Sequence, residues 1–162
     1  MRKKRVYKKY HQPDLTYSRL DLGRFINYVM HDGKKSVAER VVYDAFDKIK
    51  AETKEEAITI FEKAIANASP LLQVVSRRVG GANYQVPSEV STDKKFILAC
   101  RWIIGSASAK KGKPMATKLA EELMLAAKNE GNAIKKKLDM HRMAEANRAF
   151  AHFAQSRQGG SR

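Results

Sequence analysis

Residues 76–87 read Ser-Arg-Arg-Val-Gly-Gly-Ala-Asn-Tyr-Gln-Val-Pro, in a chain whose other apolar residues recur mostly at helical spacing. The run 72–79 holds Val74, Val75 and Val79, with Arg77 and Arg78 among them, and a second β-prone run covers 84–90. Between the runs lie Gly80, Gly81, Ala82 and Asn83. Glycine and asparagine tolerate positive φ, so these residues suit a hairpin loop. A four-residue loop predicts Val79 opposite Tyr84, Arg78 opposite Gln85 and Arg77 opposite Val86. Pro87 has no N–H, so its strand needs an open edge there. A two-stranded ribbon is marginal in water by itself. The adjacent arginines point to a polyanion as the body that holds it. Tyr84 suits either stacking on a base or packing against Val79.

Helical patterns flank the ribbon on both sides. Leu20, Phe25, Ile26, Val29 and Met30 form one apolar stripe; Asp32 and Gly33 then supply a turn, with Gly33 fit for a C-cap. Val37, Val41, Val42, Ala45, Phe46 and Ile49 form a second, opened by a capping box from Ser36 to Glu39. A second box, Thr53 to Glu56, precedes a third stripe of Ala57, Ile58, Phe61, Ala64, Ile65 and Ala68, and Pro70 ends that helix. Beyond the ribbon, Ser91, Thr92 or Asp93 can cap a fourth helix through Phe96, Ala99, Cys100, Ile103, Ile104 and Ala107. Pro114 suits the first turn of a fifth helix, with Met115, Leu119, Ala120, Leu123, Met124 and Ala127 as its stripe. Gly131 punctuates, and Asn132 caps a sixth helix carrying Ile134, Leu138, Met143, Ala144, Phe150 and Phe153. The expected fold is mainly α: a single domain of about six helices with one protruding β-hairpin at 72–90. Residues 1–17 lack helical period and read as a basic arm, 18–154 as the body and 155–162 as a polar tail.

The chain has 162 residues, 43% of them hydrophobic, and a net charge of +15. That charge repels itself and calls for a polyanion, either nucleic acid or an anionic membrane. It is also uneven. Arg2, Lys3, Lys4, Arg5, Lys8 and Lys9 stand without an acid among them, whereas Asp44, Asp47, Glu52, Glu55, Glu56 and Glu62 gather on one segment. No apolar run suffices for a membrane span, and the charged N-terminus has no apolar segment behind it. The lone Cys100 excludes an internal disulfide and fits a reducing compartment.

No catalytic or metal constellation assembles from the sequence. His11, His31, His141 and His152 do not pair with each other or with Cys100 at a ligand spacing. Gly80 and Gly81 lack the lysine and hydroxyl residue of a phosphate-binding P-loop. An enzyme is therefore not expected, nor a cofactor. Cations, by contrast, cluster seven times: in the arm, at Lys34 and Lys35, at Arg77 and Arg78, at Lys94 and Lys95, at Lys110, Lys111 and Lys113, at Lys135, Lys136 and Lys137, and at Arg142 with Arg148. A single cluster reads as a solvated face; seven in a small chain read as a nucleic-acid surface. A ribbon bearing arginines resembles the arms of DNA-bending architectural proteins, which remain the alternative to an RNA partner.

The segment 77–87 resembles the hairpin signature of the bacterial-type small-subunit ribosomal protein seven family. Pro13-Asp-Leu, Phe25-Ile-Asn, Asp32-Gly-Lys-Lys, Arg101-Trp and the segment 142–149, Arg-Met-Ala-Glu-Ala-Asn-Arg-Ala, match it in order. The resemblance implies a structural constituent of the small ribosomal subunit. Such a protein binds ribosomal RNA directly and nucleates assembly of the 3′ major domain, the head. It implies a place on the subunit interface near exit-site tRNA and the mRNA exit path, among head and platform proteins of the cytoplasmic ribosome, with an organelle ribosome as the alternative. By position, ribosomal RNA would meet the arm cations, Lys34, Lys35, Arg77, Arg78, Lys94, Lys95, Arg101, Lys110, Lys111 and Lys113. Gly80, Gly81, Ala82, Asn83, Arg142, Met143, Asn147 and Arg148 would lie toward tRNA. After His152 the family pattern continues Tyr-Arg-Trp, where this chain has Phe153, Ala154 and Gln155.

Overall fold

The computed structural model describes residues 11–154; the arm cations from Arg2 to Lys9 and the tail 155–162 lie outside them. The described residues form six α-helices: α1 (Leu20–Val29), α2 (Lys35–Thr53), α3 (Ala57–Ala68), α4 (Thr92–Ala109), α5 (Met115–Ala127) and α6 (Asn132–Ala146). Strands β1 (Leu72–Val79) and β2 (Ala82–Glu89) separate α3 from α4, and a 3-10 helix (Arg148–Ala154) follows α6. The mainly helical architecture with one hairpin is as the periodicity predicts.

Helix α5 packs against α2, α3, α4 and α6. Half of its six buried positions are small, Ala116, Ala120 and Ala126 beside Leu119, Glu122 and Leu123, which lets neighbouring helices approach closely. Beside it, Phe25, Phe46 and Phe61 from the first three helices meet edge to face or tilted, with centroids 5.1 and 5.9 Å apart, and all three are fully buried. Each buried aromatic removes roughly 150–250 Å² from water, the largest favourable contribution a single side chain makes here.

Several local signals resolve differently from the sequence expectation. Helix α1 stops at Val29 and is capped by Met30 rather than Gly33; the turn expected at Asp32 and Gly33 does form, with φ of 52° and 72°, closed by Lys34 N–H donating to His31 O at 3.0 Å. Ser36 is already inside α2, which starts at Lys35, so its capping box does not form. Nor does the box at Thr53: its hydroxyl donates to Ile49 O at 2.7 Å, which keeps it in the last turn of α2, and α3 begins only at Ala57. Asn132 is the first residue of α6 rather than its cap; Gly131, at φ 92°, holds the cap position. Helix α6 ends at Ala146, so Phe150 and Phe153 belong to the tighter 3-10 turn, which Asn147 begins by donating from Nδ2 to Met143 O at 2.8 Å. Leu20, Val37, Leu138 and Met143, expected on core stripes, are exposed.

The hairpin register also differs. Val79 pairs with Ala82, Arg78 with Asn83 and Arg77 with Tyr84, so the loop has two residues, not four. Gly80 and Gly81 have φ of 56° and 90°; two consecutive positive values make the turn whose twist matches that of the strands. Pro87 lies opposite Val74 in a sheet of only two strands, where each strand has an open edge. What supports the ribbon is the chain itself: β2 packs against the 3-10 helix, and both strands touch α6.

The chain ahead of α1 is clamped to the body. Asp14 is buried and accepts from the N–H groups of Thr16 (3.1 Å) and Tyr17 (2.9 Å) and from the Tyr43 hydroxyl. Residues 12–14 cross α1 at Gly23, where a Cβ would come within 2.5 Å of Gln12 O. Gly23→Ala must therefore displace that crossing. The expected loss is about 2 kcal/mol of stability in urea unfolding, with faster amide exchange at Thr16 and Tyr17. A loss below roughly 0.5 kcal/mol would mean the crossing is loosely held.

Candidate nucleic-acid interface

The structure sorts the described cations expected at ribosomal RNA into two groups. Lys34, Arg78, Lys94, Arg101 and Lys111 are exposed and make no ion pair among the described residues. Lys95 is half-buried and likewise unpaired among them. The others are already engaged: Lys35 lies 3.9 Å from Glu39, Lys113 pairs with Glu121, and Lys110 pairs with Glu121 at 3.7 Å and Glu122 at 3.0 Å. Arg77 donates to backbone carbonyls.

Most of the unpaired group follows α4. Lys94, Arg101, Gly105 and Ser108 are exposed at spacings of seven, four and three, which places them on one stripe. An α-helix of 18 residues is roughly 27 Å long. Lys136 of α6 joins this stripe, because a Cβ on Gly105 would lie 3.7 Å from its Nζ. Ser108 in turn lines one cleft with Lys34 and His31, so the stripe ends beside the α1–α2 turn. Three segments distant in sequence thus form a band of positive charge. The acids Asp44, Asp47, Glu52, Glu55, Glu56 and Glu62 are exposed on α2, α3 and the link between them. Several are paired: Glu56 with Lys50 (3.5 Å), Glu55 with Lys63 (3.7 Å), and Glu62 with Arg19.

Hairpin and C-terminal segment form a limb. Strand alternation puts Arg77, Tyr84 and Val86 on the inner face, and Arg78 and Asn83 on the outer. Tyr84 therefore faces inward rather than outward toward a base; its ring lies 5.2 Å from Phe150 and 5.3 Å from Phe153. Arg77 Nη1 donates to the carbonyls of Phe153 (2.8 Å) and Ala154 (3.1 Å), satisfying the end of the 3-10 helix. The adjacent arginines thus have different surroundings. Gly80, Gly81, Ala82 and Asn83 are exposed at the tip, and Arg142, Met143 and Arg148 are exposed on α6 and just beyond it, with Asn147 half-buried.

Two residues not anticipated as site elements organise this surface. Glu122 is fully buried, and its Oε1 accepts from Ala133 N–H at 3.0 Å, in the first turn of α6. Its Oε2 forms an ion pair with Lys110 rather than a directed hydrogen bond. His141 Nε2 accepts from Leu71 N–H at 3.1 Å, tying α6 to the foot of the hairpin. Burial, and then the charge of Lys137, hold its pKa below the ordinary 6.5. The folded state thus takes up this proton less readily than the unfolded chain. The contact is fully present above pH 6.5 and weakens as pH falls from there toward the folded value. The protection factor of the Leu71 amide, its slowing relative to intrinsic exchange at the same pH, should fall on acidification, and His141→Phe should abolish that dependence; a pH-independent protection factor in the parent would refute the coupling.

Burial pushes the Cys100 thiol up to about 12, so it packs as a small apolar group. Among the described residues no group of His, Cys, Asp and Glu can hold a metal ion, and no helix is long and apolar enough to cross a membrane.

Comparison with known proteins places this arrangement in a lineage. The family described as Ribosomal protein S7p/S5e matches residues 1–148. The chain belongs to that family. It is a ribosomal protein, a structural component and not an enzyme. Relatives named small ribosomal subunit protein uS7 include that of Thermotoga neapolitana, 52% identical over 94% of this chain and 99% of its own. That of Salinibacter ruber is 55% identical over 88% and 91%, and that of Chloroflexus aggregans 54% over 87% and 90%. Within the S7p/S5e family match fall all six helices, the hairpin and the cationic band. Most of the 3-10 helix falls beyond it.

Proposed function

We propose that this chain is a structural constituent of the small ribosomal subunit that binds ribosomal RNA directly and nucleates folding of the 3′ major domain. The observation that carries this reading is the band from Lys94 through Arg101 and Lys136 to Lys111 and Lys34. These cations have no ion-pair partners among the described residues, while Asp44, Asp47, Glu52, Glu55, Glu56 and Glu62 lie on α2, α3 and the link between them. Unpaired cations held on a rigid scaffold neutralise phosphates and release their counterions. The body then matches the shape of an RNA junction rather than a sequence.

Within the segment 1–17, Arg2, Lys3, Lys4, Arg5, Lys8 and Lys9 add to the same contact, while 12–17 hold to the body. Lys35, Lys95, Lys110 and Lys113 support it where RNA phosphates displace or share their acidic neighbours. Residues 155–162 form a polar tail. The limb carries a second role. Its uncharged tip of Gly80, Gly81, Ala82 and Asn83, with Arg142, Met143, Asn147 and Arg148, lies toward exit-site tRNA and the mRNA exit path. Head and platform proteins of the cytoplasmic ribosome are its neighbours.

Equilibrium binding to 3′ major domain RNA and to duplex DNA across a salt series tests the reading. RNA should be preferred at every salt concentration, with log K falling linearly in log salt. Equal affinity at moderate salt would favour a DNA-bending protein instead.

A further inference from the structure

We propose that the cleft at the α1–α2 turn receives one unstacked nucleobase of RNA, a reading that rests on the ribosomal-RNA function proposed above. The cleft encloses about 240 Å³ between the ends of α1 and α4 and the starts of α2 and α5. Val37, Val41, Ile104 and Met115 line it, with His31 and Lys34 beside them. Its volume is below the roughly 300–1,000 Å³ of sites that enclose whole drug-sized ligands. It is several times the roughly 30 Å³ share of one water, so a single ring system is the matching size.

Three features select a base. Val37 lies on the apolar stripe of α2 yet is 53% exposed, so covering it removes apolar surface from water. Aliphatic walls suit the flat face of a base, whatever its identity, and single-stranded RNA can splay such bases outward. No acid lines the cleft, while Lys34 is exposed and unpaired among the described residues and Lys111 follows in the adjoining loop. The phosphates flanking an inserted base therefore meet cations. Ser108, whose hydroxyl lies 3.9 Å from Met115 sulfur, is a polar group at the cleft able to bond a base edge. A larger groove at the foot of the hairpin, about 660 Å³, sets Glu89 and Glu145 against Arg148 in its lining and so offers phosphate no net positive charge.

Val37→Trp fills the mouth of the cleft without changing charge. Its affinity for 3′ major domain RNA should fall about tenfold or more, with the slope of log K against log salt unchanged. Lys34→Ala should instead lower that slope by about one. Base-edge chemical probing should show one unpaired nucleotide protected by the parent and reactive with Val37→Trp, while backbone protections persist. Wild-type affinity of Val37→Trp, or no such nucleotide, overturns the pocket. A parent that binds this RNA no better than duplex DNA overturns the ribosomal reading, and the pocket with it. Should Val37→Trp not fold, Val37→Cys carrying a thiol-linked photocrosslinker decides the matter, since buried Cys100 stays unlabelled. Crosslinks to the base of one nucleotide support the pocket, and scattered or absent crosslinks refute it.

Discussion

Glu122→Ala should lower the stability of the free protein by about 3 kcal/mol, measured by urea unfolding. The carboxylate joins three elements: it sits on α5, accepts Ala133 N–H at the start of α6, and pairs with Lys110 at the end of α4. Alanine leaves that N–H without its acceptor, which costs about 1–3 kcal/mol when buried. It also leaves a void and deprives Lys110 of its nearest acid. Removing one member of a fully buried pair costs about 3–5 kcal/mol. Here the loss is tempered, because Lys110 is 24% exposed and keeps Glu121 at 3.7 Å. Glu122→Gln retains an oxygen for Ala133 and loses only the charge, so it should cost roughly half as much. If both variants unfold within about 0.5 kcal/mol of the parent, Glu122 does not organise these helices. Gly131 belongs to the same arrangement. A Cβ there would lie 3.1 Å from both Glu122 Oε1 and Leu125 Cβ, at a φ of 92° that other residues adopt with strain.

The second large effect separates two neighbours in sequence. Arg78→Ala should weaken binding to 3′ major domain RNA by about fivefold to tenfold and lower the salt slope by about one, with unchanged melting temperature. It is exposed on the outer face of the hairpin and makes no ion pair among the described residues. Arg77→Ala should instead release the 3-10 helix, because the carbonyls of Phe153 and Ala154 lose their shared donor. Amide exchange across 148–154 should accelerate, and the rings of Phe150 and Phe153 should loosen from Tyr84, while α1–α5 keep their protection. Equal exchange in the two variants, or an unaltered salt slope for Arg78→Ala, would show that the faces of the hairpin do not divide the work this way.

Much of this was legible from residue order alone. Phe25, Phe46 and Phe61 fall on local 3.6-residue patterns, and burial followed the pattern because an amphipathic helix has one face to hide. The exceptions are instructive. Val37 and Leu138 fit their stripes but are exposed, since nothing in a helix's own period says whether a neighbour covers a given turn. The capping signal at Thr53 failed because its hydroxyl serves the preceding helix, and that at Ser36 because α2 already begins at Lys35. In the hairpin, Gly80, Gly81, Ala82 and Asn83 left a longer loop open, and the observed register sets Tyr84 against rings more than sixty residues away.

By itself, then, the sequence determined the mainly helical body, the single ribbon, the excess of positive charge and the membership of a ribosomal family. Those properties are carried by composition, local periodicity and contiguous motifs. Only the tertiary structure decided which cations are available. Lys110 and Lys113 are held by acids of α5, Arg77 by carbonyls of the last turn, and Lys136 is brought beside Gly105 of α4. The physical reason is that a charge takes its state from whatever lies within a few ångströms, and those neighbours come from segments that local pattern does not connect.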